Sequence, residues 1–283
     1  MGKIDLKKVE AENLVGILKE EKLVEQNRKG LKRLFRKIKD FFVVSHQFRD
    51  NGIDYPETVK RPKIVVYTCV TGGYDKIIEP NFDFDNIDYI LFSDKNVKVE
   101  KWDVRQIPKG CKMSNNVMTN RFIKMNPHLL FSGSKYDYSI YVDGNIKIVS
   151  DLTPMTTNLG KLGLAFHRHA LRDDISKEVK SCIWQKKGNR KALLKQAKEY
   201  KKDGFPKDFG MLECNVIVAD LKSYNSKAIM NNWWYEFNES GSMRDQIALP
   251  YVIWKMGYKI EDLGNLGYNI YRNPKFRKMG HKR

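Results

Sequence analysis

The stretch YSIYVDGNIKI, residues 138–148, places a carboxylate, a glycine and an amide inside the pattern of a buried strand. Apolar and β-branched residues lead up to Asp143, and Ile146 and Ile148 resume the apolar pattern after Asn145. One interpretation is a turn, because Asp-Gly and Gly-Asn tolerate the left-handed backbone region. The other is a ligand site at the carboxyl end of a central strand, where open α/β sheets bind their ligands.

Length and composition favour one main soluble domain. The chain has 283 residues, of which 41% are hydrophobic and 12% aromatic, enough for one substantial core with a small appendage. No uninterrupted apolar run approaches the ~18 residues of a membrane span. Charged residues, not an apolar stretch, follow Met1, so no secretory signal is expected. We therefore expect a cytoplasmic protein that is soluble or peripheral to a membrane.

The net charge is +18, from 52 Lys and Arg against 34 Asp and Glu. Such a surface should attract anions, but the charge alone does not distinguish nucleic acid, an acidic membrane leaflet and phosphorylated small molecules. The four cysteines, Cys69, Cys111, Cys182 and Cys214, lack metal-binding spacing, and we expect them to be reduced.

Residues 1–60 are predicted to form a helical extension and linker that precede the main domain at 61–283. Within the extension, GLKRLFRKIKDFF places apolar residues from Leu31 to Phe42 on one helix face, with lysines and arginines around it. A basic amphipathic helix of this kind can lie on an anionic membrane surface. In a cytoplasmic protein that surface would be the inner face of the membrane. The same face would equally suit docking on the main domain or on a second copy of the chain.

After the linker, short strands alternate with helices. Strands are predicted at KIVVYTCV, DYILFSD, WDVRQI, the opening stretch, LGLAFHRH and GMLECNVIVADL. The first predicted helix is SNNVMTNRFIKMNPHLL, with Ser114 as N-cap and Pro127 at its end. Others are predicted at ISKEVKSCIWQ, KALLKQAKEYKKDG, SKAIMNNWWYEF and RDQIALPYVIWKMG. The alternation predicts an α/β fold with a mostly parallel sheet flanked by helices.

Five motifs in a fixed order resemble those of GT-A glycosyltransferases. They are KIVVYTCVTGGYD, the helix with Arg121 and Lys124, YDYSIYVDGNIKIVSDL, GMLECNVIVADL and RDQIALPYV, and together they cover most of residues 63–250. The sequence is most similar to the TOD1/MUCI70-type group and more distantly to retaining family-8 enzymes. The resemblance implies a Rossmann-like GT-A fold. It also implies an enzyme that transfers a sugar from a nucleotide diphosphate donor, expected to be a UDP-sugar, to a surface glycan or lipid-linked acceptor.

The resemblance also implies a divalent metal site at Asp143-Gly144-Asn145. Mn²⁺ or Mg²⁺ suits carboxylate and amide oxygens and neutralises a leaving diphosphate. Asn145 is neutral where the usual triplet has a second carboxylate. The site is therefore expected to bind the metal ion more weakly, or the ion is expected to depend more on another ligand. The family-8 likeness adds a histidine near the chain end, and His281 has the comparable position.

The same resemblance assigns the donor site. Gly72 and Gly73 allow the backbone close to a nucleoside, and Tyr74 offers a ring to stack on a base. The assigned donor-binding residues are Thr71, Gly72, Gly73, Tyr74, Asp94, Arg121, Lys124, Asp143, His167, His169 and Asn215. A plain strand-to-helix turn would explain the two glycines equally well, and the basic helix face could instead be a solvated one.

The predicted catalytic residues are Asp245, Gln246 and Glu213. Asp245 and Gln246 open a helix at the positive end of its dipole. In the GT-A pattern this position holds the catalytic base of inverting enzymes and a sugar-binding acid in family-8-like ones. Glu213 shares a strand face with Asn215. The alternative for Asp245 is a helix-terminal acid that satisfies backbone donors.

Two other functions fit less of the sequence. A sugar-phosphate nucleotidyltransferase would share the sheet and loop layout, but it calls for a Gly-rich loop with a Lys signature, and TGGYDKIIEP is a poor version of that loop. A basic nucleic-acid-binding protein is supported by net charge alone, because the sequence has no recognised nucleic-acid-binding motif.

Overall fold

The structure is a computed structural model that describes residues 61–267, 269–271 and 273–280. The predicted amphipathic helix from Leu31 to Phe42, and His281, lie outside the described residues. The domain boundary predicted after residue 60 stays a prediction.

The strands of the described chain form two sheets. They are β1 (Ile64–Val70), β2 (Ile87–Ser93), β3 (Asp103–Gln106), β4 (Tyr138–Val142), β5 (Ile146–Ile148), β6 (Leu164–Arg168), β7 (Leu212–Asp220), β8 (Gly264–Asn265) and β9 (Phe276–Lys278). Seven of them form a central sheet in the order β3-β2-β1-β4-β7-β6-β8, and β5 pairs with β9. The mostly parallel α/β sheet predicted from the sequence is confirmed.

One strand of the central sheet runs against the others. β7 is antiparallel to both β4 and β6, whereas the remaining neighbours are parallel. The sequence did not predict this reversal, because a strand buried on both faces has the same apolar composition in either direction. The reversal brings the start of β7 to the sheet edge at which β4 and β6 end.

Helices cover the sheet and connect its strands. They are α1 (Asn116–Met125), α2 (Pro127–Leu130), α3 (Ile175–Trp184), α4 (Arg190–Lys202), α5 (Tyr224–Ser240) and α6 (Asp245–Lys255). The predicted cap of the first helix was wrong by one residue: Asn115, not Ser114, accepts a hydrogen bond from the Met118 N–H. Pro127 ends no helical region but begins α2, at a position where its missing N–H costs nothing.

The opening stretch YSIYVDGNIKI is two strands of different sheets, so its prediction as a single strand was wrong. β4 ends before Asp143, and the Ile146 N–H donates to the Asp143 carbonyl at 2.9 Å, closing a turn. β5 then pairs with β9, which lies near the other end of the chain. No local pattern in the stretch reveals a partner so distant in sequence. The turn lies at the carboxyl end of a central strand, where the site interpretation also requires it.

Apolar side chains pack on both faces of the sheet. On β1, Val65 and Tyr67 contribute to one cluster and Ile64 and Val66 to the other, so the strand is buried on both sides as its continuous apolar run predicts. The four cysteines are free thiols, and all but Cys111 are buried. Among the described residues, no helix is both long and apolar enough to cross a bilayer.

The edge strand β8 depends on a glycine. A Cβ atom at Gly264 would lie 1.8 Å from the Asn158 carbonyl oxygen and 2.7 Å from the Ala165 Cβ, so backbone would have to move. We expect Gly264→Ala to lower the free energy of unfolding by about 2 kcal/mol or more. Gly110→Ala is the matched control, because its Cβ would meet nothing within 4 Å. Equal melting temperatures for the two variants would contradict this packing.

Candidate active site

The predicted site residues gather at one edge of the central sheet. β1, β2, β4 and β6 run in the same direction and end at this edge, and the antiparallel β7 begins there. Thr71, Gly72, Gly73 and Tyr74 follow β1, Asp94 follows β2, Asp143 follows β4, His169 follows β6, and Glu213 and Asn215 lie near the start of β7.

A buried ion cluster joins two helices to this edge. The Lys124 Nζ, on α1, lies 2.7 Å from Asp245 Oδ2, on α6, and 3.6 Å from Asp143 Oδ1. The Lys124 side chain is only 2% exposed. Arg121, one turn earlier on α1, has its Nε 3.2 Å from the same Asp245 oxygen. That N–H makes no hydrogen bond, so this second contact is Coulombic.

Two buried aromatic side chains fix the backbone of the cluster. The Tyr67 hydroxyl, from β1, donates to the Lys124 carbonyl at 2.9 Å. The Trp233 Nε1, from α5, donates to the Asp245 carbonyl at 2.9 Å. The Lys124 carbonyl lies in the last turn of α1, where carbonyl groups lack intrahelical partners, whereas the Asp245 carbonyl lies in the first turn of α6. The positions of Lys124 and Asp245 are therefore set by the core as well as by their own attraction.

Asp245 is ionised under ordinary conditions. Burial by itself would raise the pKa of its carboxyl, but Arg121, Lys124 and Arg244 together hold that pKa well below its usual value. A general base works best when its pKa lies near the operating pH. The two roles implied for this position were a catalytic base and a sugar-binding acid. The ion pairs of Asp245 favour the second over the first. They also give Asp245 a further role, which is to position the two cations.

Asp143 is the accessible carboxylate of the cluster. Its side chain is 33% exposed. It shares a small pocket with Thr68, whose hydroxyl is buried without a hydrogen-bond partner. The Asp143 N–H donates to the Asn215 carbonyl at 2.8 Å, which brings β4 and β7 together. The Asn215 Oδ1 is likewise buried without a partner among the described residues, so the site has polar atoms that a ligand could satisfy.

Two of the predicted catalytic residues make contacts within the protein. Glu213 accepts backbone hydrogen bonds from Ala170 and Ile270, each at 3.4 Å. Gln246 donates through Nε2 to the Leu212 carbonyl at 2.8 Å. These bonds join the loops after β6 and β8 and the start of α6 to the start of β7. A catalytic role for either residue stays a prediction.

The two predicted donor-binding histidines belong to different networks. His167 is fully buried beside Asn273, and burial lowers its pKa to about 3, so the ring is neutral. His169 accepts through Nδ1 from the backbone N–H groups of Leu171 and Arg172. In the part of the chain that the structure describes, no group of three or more His, Cys, Asp or Glu side chains could hold a metal ion.

The loop after β1 has the backbone that its glycines predict. Gly72 and Gly73 have φ values of 64° and 65°, in the left-handed region. The Gly72 N–H donates to both Asp94 carboxylate oxygens, at 3.1 and 2.9 Å. Asp94 therefore holds the loop in place, and its assignment to donor binding stays a prediction. The Tyr74 ring is 67% exposed beside it.

The end of the described chain lies against the Asp143-Gly144-Asn145 turn. The Asn145 Nδ2 donates to the Met279 carbonyl at 3.2 Å, and the Met279 N–H donates to the Asn145 carbonyl at 2.8 Å. His281 comes two residues later in the sequence. The sequence indicated this neighbourhood only through the resemblance to family-8 enzymes.

Sequence reasoning missed a second buried ion cluster, centred on Glu178 of α3. Glu178 Oε2 lies 3.1 Å from Arg172 Nη1 and 3.6 Å from His169 Nε2. Burial alone would raise the pKa of Glu178, but His169, Arg172 and Arg244 lower it to about 2. An acid among the apolar positions of α3 was the available signal. Through Arg244 this cluster adjoins the start of α6.

Comparisons with known proteins identify a family. A model described as the TOD1/MUCI70 glycosyltransferase-like domain matches residues 46–282. Among solved structures, 118 chains match. The apo glycosyltransferase GlyE of Streptococcus pneumoniae TIGR4 is 10% identical, with a TM-score of 0.36, over 73% of this chain and 45% of that one. The apo bifunctional glycosyltransferase WbbM is 11% identical, with a TM-score of 0.38, over 70% and 38%.

The chain thus spans less than half the length of either of these proteins. A comparison with the curated proteins finds no match.

The lowered pKa of Glu178 predicts a specific loss of stability in acid. Its pKa falls from 4.5 to about 2 on folding, so its ionised form stabilises the fold above pH 4.5 and this contribution disappears as the pH falls towards 2. We expect Glu178→Gln to cost about 3 kcal/mol at neutral pH. The difference from wild type should shrink between those pH values, as measured by urea unfolding. Glu199→Gln, at an exposed acid, is the control; a difference for Glu178→Gln that is constant with pH would contradict the ion cluster.

Proposed function

The chain belongs to the TOD1/MUCI70 family of glycosyltransferase-like domains, and from that membership we propose that it transfers a sugar from a UDP-sugar to a glycan or lipid-linked acceptor. One observation supports the proposal above the others. Lys124 and Arg121 are both paired with Asp245, and Lys124 also lies 3.6 Å from the accessible carboxylate of Asp143 at the carboxyl-end edge of the sheet. This edge is where open α/β sheets bind nucleotides.

The charge of the cluster suits a departing diphosphate. Arg121, Lys124 and Arg244 are three cations close to two carboxylates, those of Asp143 and Asp245. Arg244 also lies near Glu178 of the second cluster, so Arg121 and Lys124 are the cations that this cluster offers to an anionic ligand. When the glycosidic bond breaks, negative charge grows on the diphosphate, and fixed cations in a site of low polarity stabilise it without reorganising. Arg121 is the more accessible of the two α1 cations, with a side chain that is 20% exposed.

A divalent ion, Mn²⁺ or Mg²⁺, is part of the proposal. The carboxylate of Asp143 and the amide of Asn145 are oxygen donors of the type these ions prefer, and both follow β4 directly. Asp143 and Asn145 would hold the ion, and His281, which follows Met279 by two residues, would complete the protein ligands. When bound, the ion supplies further positive charge to the leaving diphosphate.

The protein's own residues would position the donor. The Asn215 Oδ1, which has no partner in the part of the chain that the structure describes, would accept a hydrogen bond from a sugar hydroxyl. Asp245 holds Lys124 and Arg121 in place, because both cations contact the same oxygen of its carboxylate. The exposed ring of Tyr74, on the glycine loop, would stack on the nucleoside base.

The proposal includes a location. We place the reaction in the cytoplasm, with the basic N-terminal segment either at an anionic membrane surface or against a second copy of the chain.

Replacement of Asp143 tests the donor site. We expect the wild-type protein to hydrolyse or transfer at least one nucleotide sugar in a screen with and without Mn²⁺, and Asp143→Ala to abolish that activity, because it removes the accessible carboxylate. Asn145→Asp should keep or tighten metal binding by adding charge. Asp103→Ala, at an exposed acid on β3, is the control. Full activity of Asp143→Ala in a chelator would refute the site.

Replacement of Asp245 tests how the cations are held. We expect Asp245→Asn to lower turnover by a factor on the order of 10² or more, because the amide no longer fixes the Lys124 and Arg121 side chains by charge. UDP affinity should fall as well, because the same two cations bind the diphosphate in the proposed site. Asp203→Asn is the control for folding, because Asp203 follows α4 and pairs with Lys255 at the other end of α6. If Asp245→Asn keeps wild-type turnover, Asp245 is a structural helix-terminal acid.

A further inference from the structure

A helical hairpin, defined here as residues 175–207, has a large surplus of positive charge. It comprises α3, α4 and the loop after them, and it contains eleven lysines and arginines against three acids. These residues therefore carry a large share of the protein's net charge of +18. The proposed donor site uses none of these cations.

The surplus is concentrated on the outer face of α4. Lys191, Lys195, Lys198 and Lys202 are exposed and recur every three or four residues, so they form one row along the helix. The row extends over about 16 Å at 1.5 Å per residue. The opposite face of α4 is apolar and is buried against α3 and α6. The lysines are therefore held at fixed spacing on a packed support.

Stability of the helix does not explain this row. Like charges at these spacings repel each other, and the first turn of α4 holds Arg190 and Lys191 but no acid, against the preference of the helix dipole. Within the described chain, Lys195 is the member of the row with an acidic partner, Glu199 at 3.7 Å. Lys202, in the last turn, suits the dipole, but the repulsion between lysines along the row is unfavourable for the free protein, and a bound polyanion would replace it with attraction.

The chemistry of the hairpin narrows the class of polyanion. Single-stranded nucleic acids bind through bases stacked on exposed aromatic rings, but Trp184, Tyr200 and Phe205 are all partly or fully buried. A membrane-docking helix inserts an apolar face, but the apolar face of α4 is already buried and its outer side presents only Leu194. A hydrophilic chain with regularly spaced negative charges requires neither feature.

We propose that the outer face of α4 binds an acidic glycan and that this glycan is the acceptor class. The second part rests on the sugar-transfer function proposed above. The hairpin is inserted between β6 and β7, and both of its connections emerge at the sheet edge that holds Asp143. Its apolar core also packs on α6, which begins at Asp245. A glycan chain bound to the lysine row would therefore lie on a hairpin that packs against α6, the helix that carries Asp245.

The test compares two triple variants of the full chain. Lys191, Lys198 and Lys202, which have no acidic partner in the described chain, are replaced by Gln. The control replaces Lys98, Lys109 and Lys259 by Gln, which removes the same charge from exposed positions elsewhere. The probes are alginate fragments, neutral dextran, a single-stranded DNA and vesicles of phosphatidylglycerol with phosphatidylcholine.

We expect the hairpin variant to bind alginate on the order of tenfold more weakly than wild type, with a shallower dependence on salt, because fewer counterions are released. The control variant should bind nearly as wild type. An equal loss in both variants would show binding to overall charge and would overturn the proposal. So would unchanged alginate binding with a loss confined to DNA or vesicles.

Donor hydrolysis separates this proposal from the previous one. The hairpin variant should hydrolyse the donor at the wild-type rate, because its three lysines lie outside the donor site. If the wild-type protein hydrolyses no nucleotide sugar, sugar transfer fails while the alginate result still decides whether α4 binds acidic glycans. If hydrolysis is normal and alginate binding is unaffected by the variant, α4 is not the acceptor surface.

Discussion

The buried ion pair between Lys124 and Asp245 is the interaction on which the site depends. It joins α1 to α6 across 121 positions of the sequence, at 2.7 Å. Removing two charges from water is costly, and a buried pair often stabilises a protein no better than apolar residues would. Losing one partner is worse, because the other charge is then buried alone. The pair therefore fixes the relative position of two helices and, with Arg121 and Asp143, sets the charge of the sheet edge.

Much of the fold follows from local sequence, and the rest depends on distant contacts. The continuous apolar runs of β1 and β2 predict strands buried on both faces, and the polar residues that end them predict an edge for binding. Asp143, Lys124 and Asp245 could be predicted as site residues because they belong to motifs with recognisable order. Their mutual contact could not, since no local pattern links α1 with α6.

The corrections share a physical cause. β5 is a separate strand because β9 pairs with it, and Asn145 bonds to Met279 across 134 positions. The cluster at Glu178 forms because Arg172 and Arg244 approach it from different loops. In each case a residue takes its role from a partner supplied by tertiary structure. The cationic excess shows the same limit: the sequence gives a total charge, whereas the structure separates the cations paired with Asp245 from the lysine row on α4, in which Lys195 alone has an acidic partner in the described chain.

A double-mutant cycle on Lys124 and Asp245 tests the central claim most directly. The free energies of unfolding in urea would be measured for wild type, Lys124→Met, Asp245→Leu and the double variant. If the pair organises the site, each single change lowers the free energy of unfolding by an amount on the order of 3 kcal/mol. The loss in the double variant is then smaller than the sum of the two single losses by about 2 kcal/mol or more. Losses that add to within about 0.5 kcal/mol would show that the two side chains do not interact, and would contradict the account.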